Sequence, residues 1–145
     1  MSTTDEVATL LKITAGPFSF TGALERERAP RTVAAFERIL PFHSKIIHVR
    51  WSGESAWIPL GDLSTGLGFE NHTSHPAPGE ILLYPGGYSE TEILFPYGAA
   101  RFSSKLGQLA GNHFLTIETG KEYLRELGRT VLWEGAQDIV FEAVE

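Results

Sequence analysis

Apolar and polar residues alternate with a period of two over most of this chain. Val7, Thr9, Leu11 and Ile13 fall on one face, the signature of a half-buried strand. Gly16-Pro17 breaks the pattern as a turn. Phe18, Phe20, Gly22 and Leu24 then share a face, with Ser19, Thr21, Ala23 and Glu25 on the other, so the two segments read as a β-hairpin. The rhythm changes in "RAPRTVAAFERILP", where Val33, Phe36, Ile39 and Leu40 recur at helical spacing. Pro30 suits a first helical turn, where its missing N–H has no partner to lose, and Pro41 ends the helix. A stripe this narrow suits a helix that plugs or flanks a sheet.

Strands resume with "KIIHVRW" and "AWIPL" around a short "SGES" loop. If those four loop residues close the hairpin, Trp51 pairs with Ala56, Arg50 with Trp57, and His48 with Pro59. Cross-strand partners share a face, so His48, Arg50 and Trp57 would project together, with Ile47, Val49 and Trp51 opposite. A one-residue slip breaks that shared face. Residues 61–79 are rich in turn formers and read as a long loop with one short strand near Phe69, a length often tied to function. "GEILLYP" and "TEILFPY" read as strands on either side of "GGYSE". A further strand centres on residues 114–117. "GKEYLRELG" reads as a short helix stopped by Gly128, and "RTVLWEGAQDIVFEAV" as two closing strands. About eight or nine strands and two helices predict a mainly β fold, a closed or nearly closed barrel with helices over its open ends.

The 145 residues are expected to form a single domain, 1–145, with residues 1–6 frayed. A net charge of −6 argues against non-specific nucleic-acid binding and against docking on anionic membranes. The absence of cysteine excludes disulfide scaffolds, thiol catalysis and thiolate zinc sites. No apolar run approaches the roughly 18 residues of a membrane span, and acidic residues stand where a secretory signal needs positive charge. The expectation is a soluble, cytoplasmic protein.

The order of elements resembles the cyclophilin fold, and more closely a bacterial, stand-alone cyclophilin-like family of unknown function. The resemblance runs from about residue 7 to 143 and rests on "WSGESAWIPLGD", "PGEILLYPGG" and "EGAQDIVFE", with "APRTV" at the helix start adding weakly. It implies an eight-stranded barrel capped by two helices, with a groove on its outside. In cyclophilins that groove binds an X-Pro peptide, and an arginine weakens the amide resonance behind an isomerisation barrier of about 18–20 kcal/mol. Arg50 lies near that arginine's position and Phe95 near an apolar groove residue. The "QGGD" stretch of cyclophilins is here "WIPLGD", and an asparagine-rich segment is here the short "YPGGYSE". These departures point away from prolyl isomerisation.

Two clusters carry candidate ligand chemistry. Arg50 with Trp57 and His48 offers a planar donor fork and a flat ring, an anion or carboxylate site; the alternative is a strand arginine covering a tryptophan. Tyr84, Glu92, Phe95 and Tyr97 flank the glycine turn and could line a pocket; the alternative is core aromatics with a surface glutamate. Alternation separates Glu92, Leu94 and Pro96 from Ile93, Phe95 and Tyr97, so Glu92 and Phe95 meet only if Pro96 marks a bulge or sheet edge. His113 shares parity with Leu115 and Ile117 and reads as a partly buried histidine or, with Gln108, as a groove residue. His72 and His75 lie in a Pro/Gly-rich loop without a third ligand, so no metal is expected, and no cofactor or nucleophile motif is found. The reading is a small-molecule or short-peptide binding module. A prolyl isomerase or diverged small-metabolite enzyme, and an oligomeric structural or interaction protein, with a homodimer the commonest such assembly, are the alternatives.

Overall fold

A computed structural model describes residues 10–144. Its elements, in chain order, are β1 (Leu10–Ala15), β2 (Phe18–Leu24), α1 (Pro30–Glu37), β3 (Phe42–His48), β4 (Gly53–Gly61), β5 (His72–Thr73), β6 (Glu80–Tyr84), β7 (Thr91–Ala100), β8 (Ser103–Ser104), β9 (Gly107–Gln108), β10 (Gly111–Thr119), α2 (Leu124–Glu134) and β11 (Gln137–Ala143). Eight strands run β2-β1-β11-β3-β4-β7-β6-β10, and β10 pairs back onto β2. Every pairing is antiparallel. The result is a closed barrel with two helices, as the alternation predicts. Closure leaves no free edge among these strands. Val7, Thr9 and the six residues expected to be frayed lie outside the described residues.

The core follows the pleat. Leu11, Ile13 and Ala15 of β1, Phe20 and Leu24 of β2, Ala56 and Ile58 of β4, and Ile93 and Phe95 of β7 all point inward and are buried. Helix α1 inserts Val33 and Phe36 into this core, and the Phe36 ring meets Phe114 at 5.0 Å and Phe141 at 5.2 Å. The long 61–79 loop is tied to the barrel by buried Asn112, whose side chain accepts from the Glu70 N–H and donates to Thr32 Oγ1 and the Gly68 carbonyl.

Four local expectations change. Helix α1 ends at Glu37, and Ile39 and Leu40 follow through tighter bonds to Phe36 and Glu37 carbonyls. Gly128 does not stop α2, which continues to Glu134 because Leu124, Leu127 and Val131 keep a helical stripe facing the core; Gly135, at φ 93°, supplies the stop. "RTVLWE" is therefore helix, leaving β11 as one closing strand. Gly128 is instead where the Tyr97 ring packs against the helix backbone, and a Cβ there would collide with it. The short strand expected near Phe69 falls at His72–Thr73.

The β3–β4 register also differs from the four-residue closure. Ile47 pairs with Trp57 and His48 with Ala56. Strand β3 stops at His48 and residues 49–52 form a wider connection. The two registers differ by an odd number of residues, so His48 and Trp57 fall on opposite faces.

Candidate functional site

The outer face of β4, β6 and β7 carries a second apolar cluster. Alternation sends Trp57 outward between inward Ala56 and Ile58, and sends Leu94 outward between Ile93 and Phe95. Register places Trp57 beside Leu94, and Leu94 beside Leu82. The next row is Pro59, Glu92 and Tyr84. Phe102 and Leu109, from the excursion between β7 and β10, fold down onto this surface, and Phe102 meets the Tyr84 ring edge-on at 5.9 Å.

Two loops stand over this face and are tied together. Ser52 Oγ donates to the Ser103 carbonyl at 3.0 Å and accepts from the Ser103 N–H at 3.0 Å. Between residues 49–51 and 103–105 lies a pocket of about 220 Å³, with Trp57 and Glu92 on its floor and Arg50, Trp51 and Lys105 around its mouth. The size is below the roughly 300–1,000 Å³ of drug-sized sites, which suits a small ligand. The Arg50 guanidinium sits 5.7 Å from the centre of the Trp51 ring, and Trp51 is 53% exposed. Arg50 thus stacks on Trp51, where the sequence suggested Trp57.

The turn "PGGYSE" closes the far side. Tyr84 Oη accepts the backbone N–H groups of Tyr88 at 3.0 Å and Ser89 at 3.1 Å. Tyr88 Oη donates to the Leu106 carbonyl at 2.8 Å, bridging the turn to the 103–106 excursion. Gly86 holds φ 92°, and a Cβ there would come within 2.8 Å of Thr91 Oγ1, so this turn needs glycine on both counts.

Glu92 is the unusual member. It is 7% exposed. Among the described residues no group donates a hydrogen bond to its carboxyl, and no cation pairs with it. Burial, with the Glu90 charge adding repulsion, pushes its pKa from 4.5 up to about 7.

The remaining candidates lie elsewhere. Phe95 is fully buried inside the barrel against Phe20, with ring centres 6.1 Å apart; the β4–β7 ladder is regular from Glu92 to Pro96 and shifts register only outside that stretch, so Phe95 and Glu92 stay on opposite faces. His48 and Tyr97 meet under α2, Nε2 to Oη at 2.7 Å. Burial raises the Tyr97 pKa above its ordinary value. Nearby, Glu54 pairs with Arg125 and accepts the Ala99 N–H. His113 does not follow the parity of Leu115 and Ile117, because a bulge in β10 lies between His113 and Leu115. Its Nε2 meets Thr116 Oγ1 at 2.7 Å, and Thr116 donates to Glu25 at 2.6 Å. Gln108 donates instead to Ser74 Oγ. The structure therefore joins Arg50, Trp57 and Glu92, with Tyr84 beneath the turn, and separates them from Phe95, the His48–Tyr97 pair and His113. Trp51 and Lys105 were missed. Trp51 was sent to the opposite face by the tighter register, and no local pattern marks Lys105.

Residues 11–143 match the family described as a protein of unknown function, DUF3830, and the chain belongs to that family. No curated protein has a sequence that matches this chain. Among solved structures, the chain is similar to McbB in complex with tryptophan, with TM-score 0.70 and 17% identity over 92% of this chain. It spans 44% of the McbB chain. It is also similar to the hypothetical protein AF2241 from Archaeoglobus fulgidus, solved in solution, with TM-score 0.58 and 19% identity over 95% of this chain and 96% of that one. At these identities the likeness is one of fold.

Proposed function

We propose that this DUF3830 protein is a cyclophilin-like binding module whose outer pocket takes a small ligand with an anionic or amide group and a flat apolar part. The carrying observation is the convergence of Arg50, Trp51 and Trp57 on one small cavity walled by two tied loops. A guanidinium presents a planar fork suited to a carboxylate, and indole faces favour flat ligands. McbB, which is similar in fold, was solved in complex with tryptophan, which makes small aromatic compounds apt probes for this chain. Prolyl isomerisation is less well supported, because Phe95, the apolar groove residue implied by the cyclophilin resemblance, points into the core.

The test is a thermal-shift screen against carboxylates, amides, nucleobase-like rings and proline peptides, run on the native chain and on Arg50→Ala. Stabilisation by one chemical class, lost in Arg50→Ala, supports the reading. Equal stabilisation of both proteins, or of neither, overturns it. A tetrapeptide X-Pro isomerisation assay separates binding from catalysis.

A further inference from the structure

The pocket holds charges of both signs on different parts of its wall. Arg50 and Lys105 stand at the mouth, on the two tied loops. Glu92 lies on the floor, on the outward face of β7 between its register partners Pro59 and Tyr84. The poles do not neutralise each other. Among the described residues no ion pair joins Glu92 to either cation, and its acidity is governed by burial and by Glu90. The Glu92 side chain is largely buried, and its carboxyl oxygens have no protein donor but keep contact with solvent. A ligand that brings a cationic donor to the floor takes the place of that water and pairs with the carboxylate in a site of low polarity.

We infer that the ligand of this pocket is a small zwitterion of the amino-acid type, its carboxylate held by Arg50 at the mouth and its ammonium by Glu92 on the floor, with its flat side chain against the indoles. This rests on the binding reading above and adds the cationic half of the ligand. The groups facing Glu92 or its pocket are the Glu90 carboxylate before β7, the Tyr84 phenol on β6, Arg50 from the 49–52 connection and Lys105 from the 103–106 excursion; β4 contributes uncharged Pro59 and Trp57. Of these, Glu92 has its pKa raised into the neutral range.

A consequence is proton release. Near pH 6 Glu92 is mostly protonated, and an arriving ammonium displaces its proton to the solvent. Near pH 8 it is already ionised and little is released.

Isothermal titration calorimetry with L-phenylalanine, its deaminated counterpart phenylpropionate and its decarboxylated counterpart phenethylamine tests this. Each titration is run at both pH values in buffers of different ionisation enthalpy. The expected result is tightest binding by phenylalanine. Close to one proton should be released at pH 6 and little at pH 8, and none by phenylpropionate. Glu92→Gln should weaken phenylalanine about tenfold or more and leave phenylpropionate within a few-fold. Phenylpropionate binding as tightly as phenylalanine, or Glu92→Gln binding phenylalanine as tightly as the native chain does, overturns the inference while leaving the carboxylate reading intact. Failure of all three probes overturns it as well, and the separate screen with Arg50→Ala then decides the parent reading. Proton release is measured on the native chain, so the test survives any folding defect in the variant.

Discussion

Replacing Glu92 with glutamine removes one titrating group and keeps its shape, so the effect on stability can be worked through. In the unfolded chain the carboxyl titrates near 4.5, and in the folded barrel near about 7. Between those values the folded state holds a proton that the unfolded state has lost. Stability then falls as pH rises, by about 1.4 kcal/mol per pH unit. Across the window from 4.5 to about 7 the loss reaches about 3 kcal/mol, and above it the penalty is constant. The carboxyl oxygens keep some contact with solvent, so about 3 kcal/mol is the upper end of the effect. The glutamine variant has no such window. Relative to the native chain it should therefore gain up to about 3 kcal/mol between pH 4.5 and pH 8, or up to roughly 6–12 °C in Tm for a chain of this size. Urea unfolding of both proteins at pH 4.5, 6 and 8 measures it, and taking the difference cancels every titration they share. A difference that stays flat with pH would refute the reasoning. A difference of opposite sign, with the native chain gaining on the variant as pH rises, would show that Glu92 is ionised and paired.

Arg50→Ala should leave Tm nearly unchanged, because Arg50 is exposed, while abolishing ligand-induced thermal shifts; a fall in unliganded Tm beyond a degree or two contradicts this placement. Phe102→Ala empties a fully buried position in the outer cluster and should cost about 3–5 kcal/mol, read by denaturant melts, and lower ligand affinity by loosening the 103–105 wall. Tyr84→Phe strands the N–H groups of Tyr88 and Ser89. It should cost about 1–3 kcal/mol and speed amide exchange in the turn; unchanged exchange at both amides argues against the phenol as their anchor. Gly128→Ala raises helix propensity but drives a Cβ into the Tyr97 ring, so a net loss of about 1–3 kcal/mol is expected in a chemical melt, and a gain would mean that the ring moves aside freely.

Much of the fold was legible in the residue pattern, for identifiable reasons. The parity that puts Ile93 and Phe95 on one face and Glu92 and Leu94 on the other holds in β7. It follows from the pleat of a single strand, and it already implied that Glu92 and Phe95 would not share a wall. Helix α2 was cut short because Gly128 was given its local meaning of a stop, when its role is to admit a neighbouring ring. His113 is the partly buried, hydrogen-bonded histidine expected, but its parity with Leu115 and Ile117 was misread because one extra residue in β10 reverses it, and no signal in "GNHFL" marks a bulge.

The candidate site was legible only in part. Arg50, Trp57 and Glu92 could be chosen for their chemistry, but their meeting could not be read from spacing. It depends on β4 pairing with β7 in one register, and on an excursion from residues 101–109 being tied to residues 49–52 through Ser52 and Ser103. The sequence by itself determined the class of fold, the inner and outer positions of most strands, and the supply of cationic and aromatic side chains. These depend on covalent geometry repeating every few residues. Only the tertiary structure decided the β3–β4 register, the roof of loops over the outer face and the acidity of Glu92. Each of those depends on what lies across from a residue, and a carboxyl's pKa follows the water its neighbours exclude.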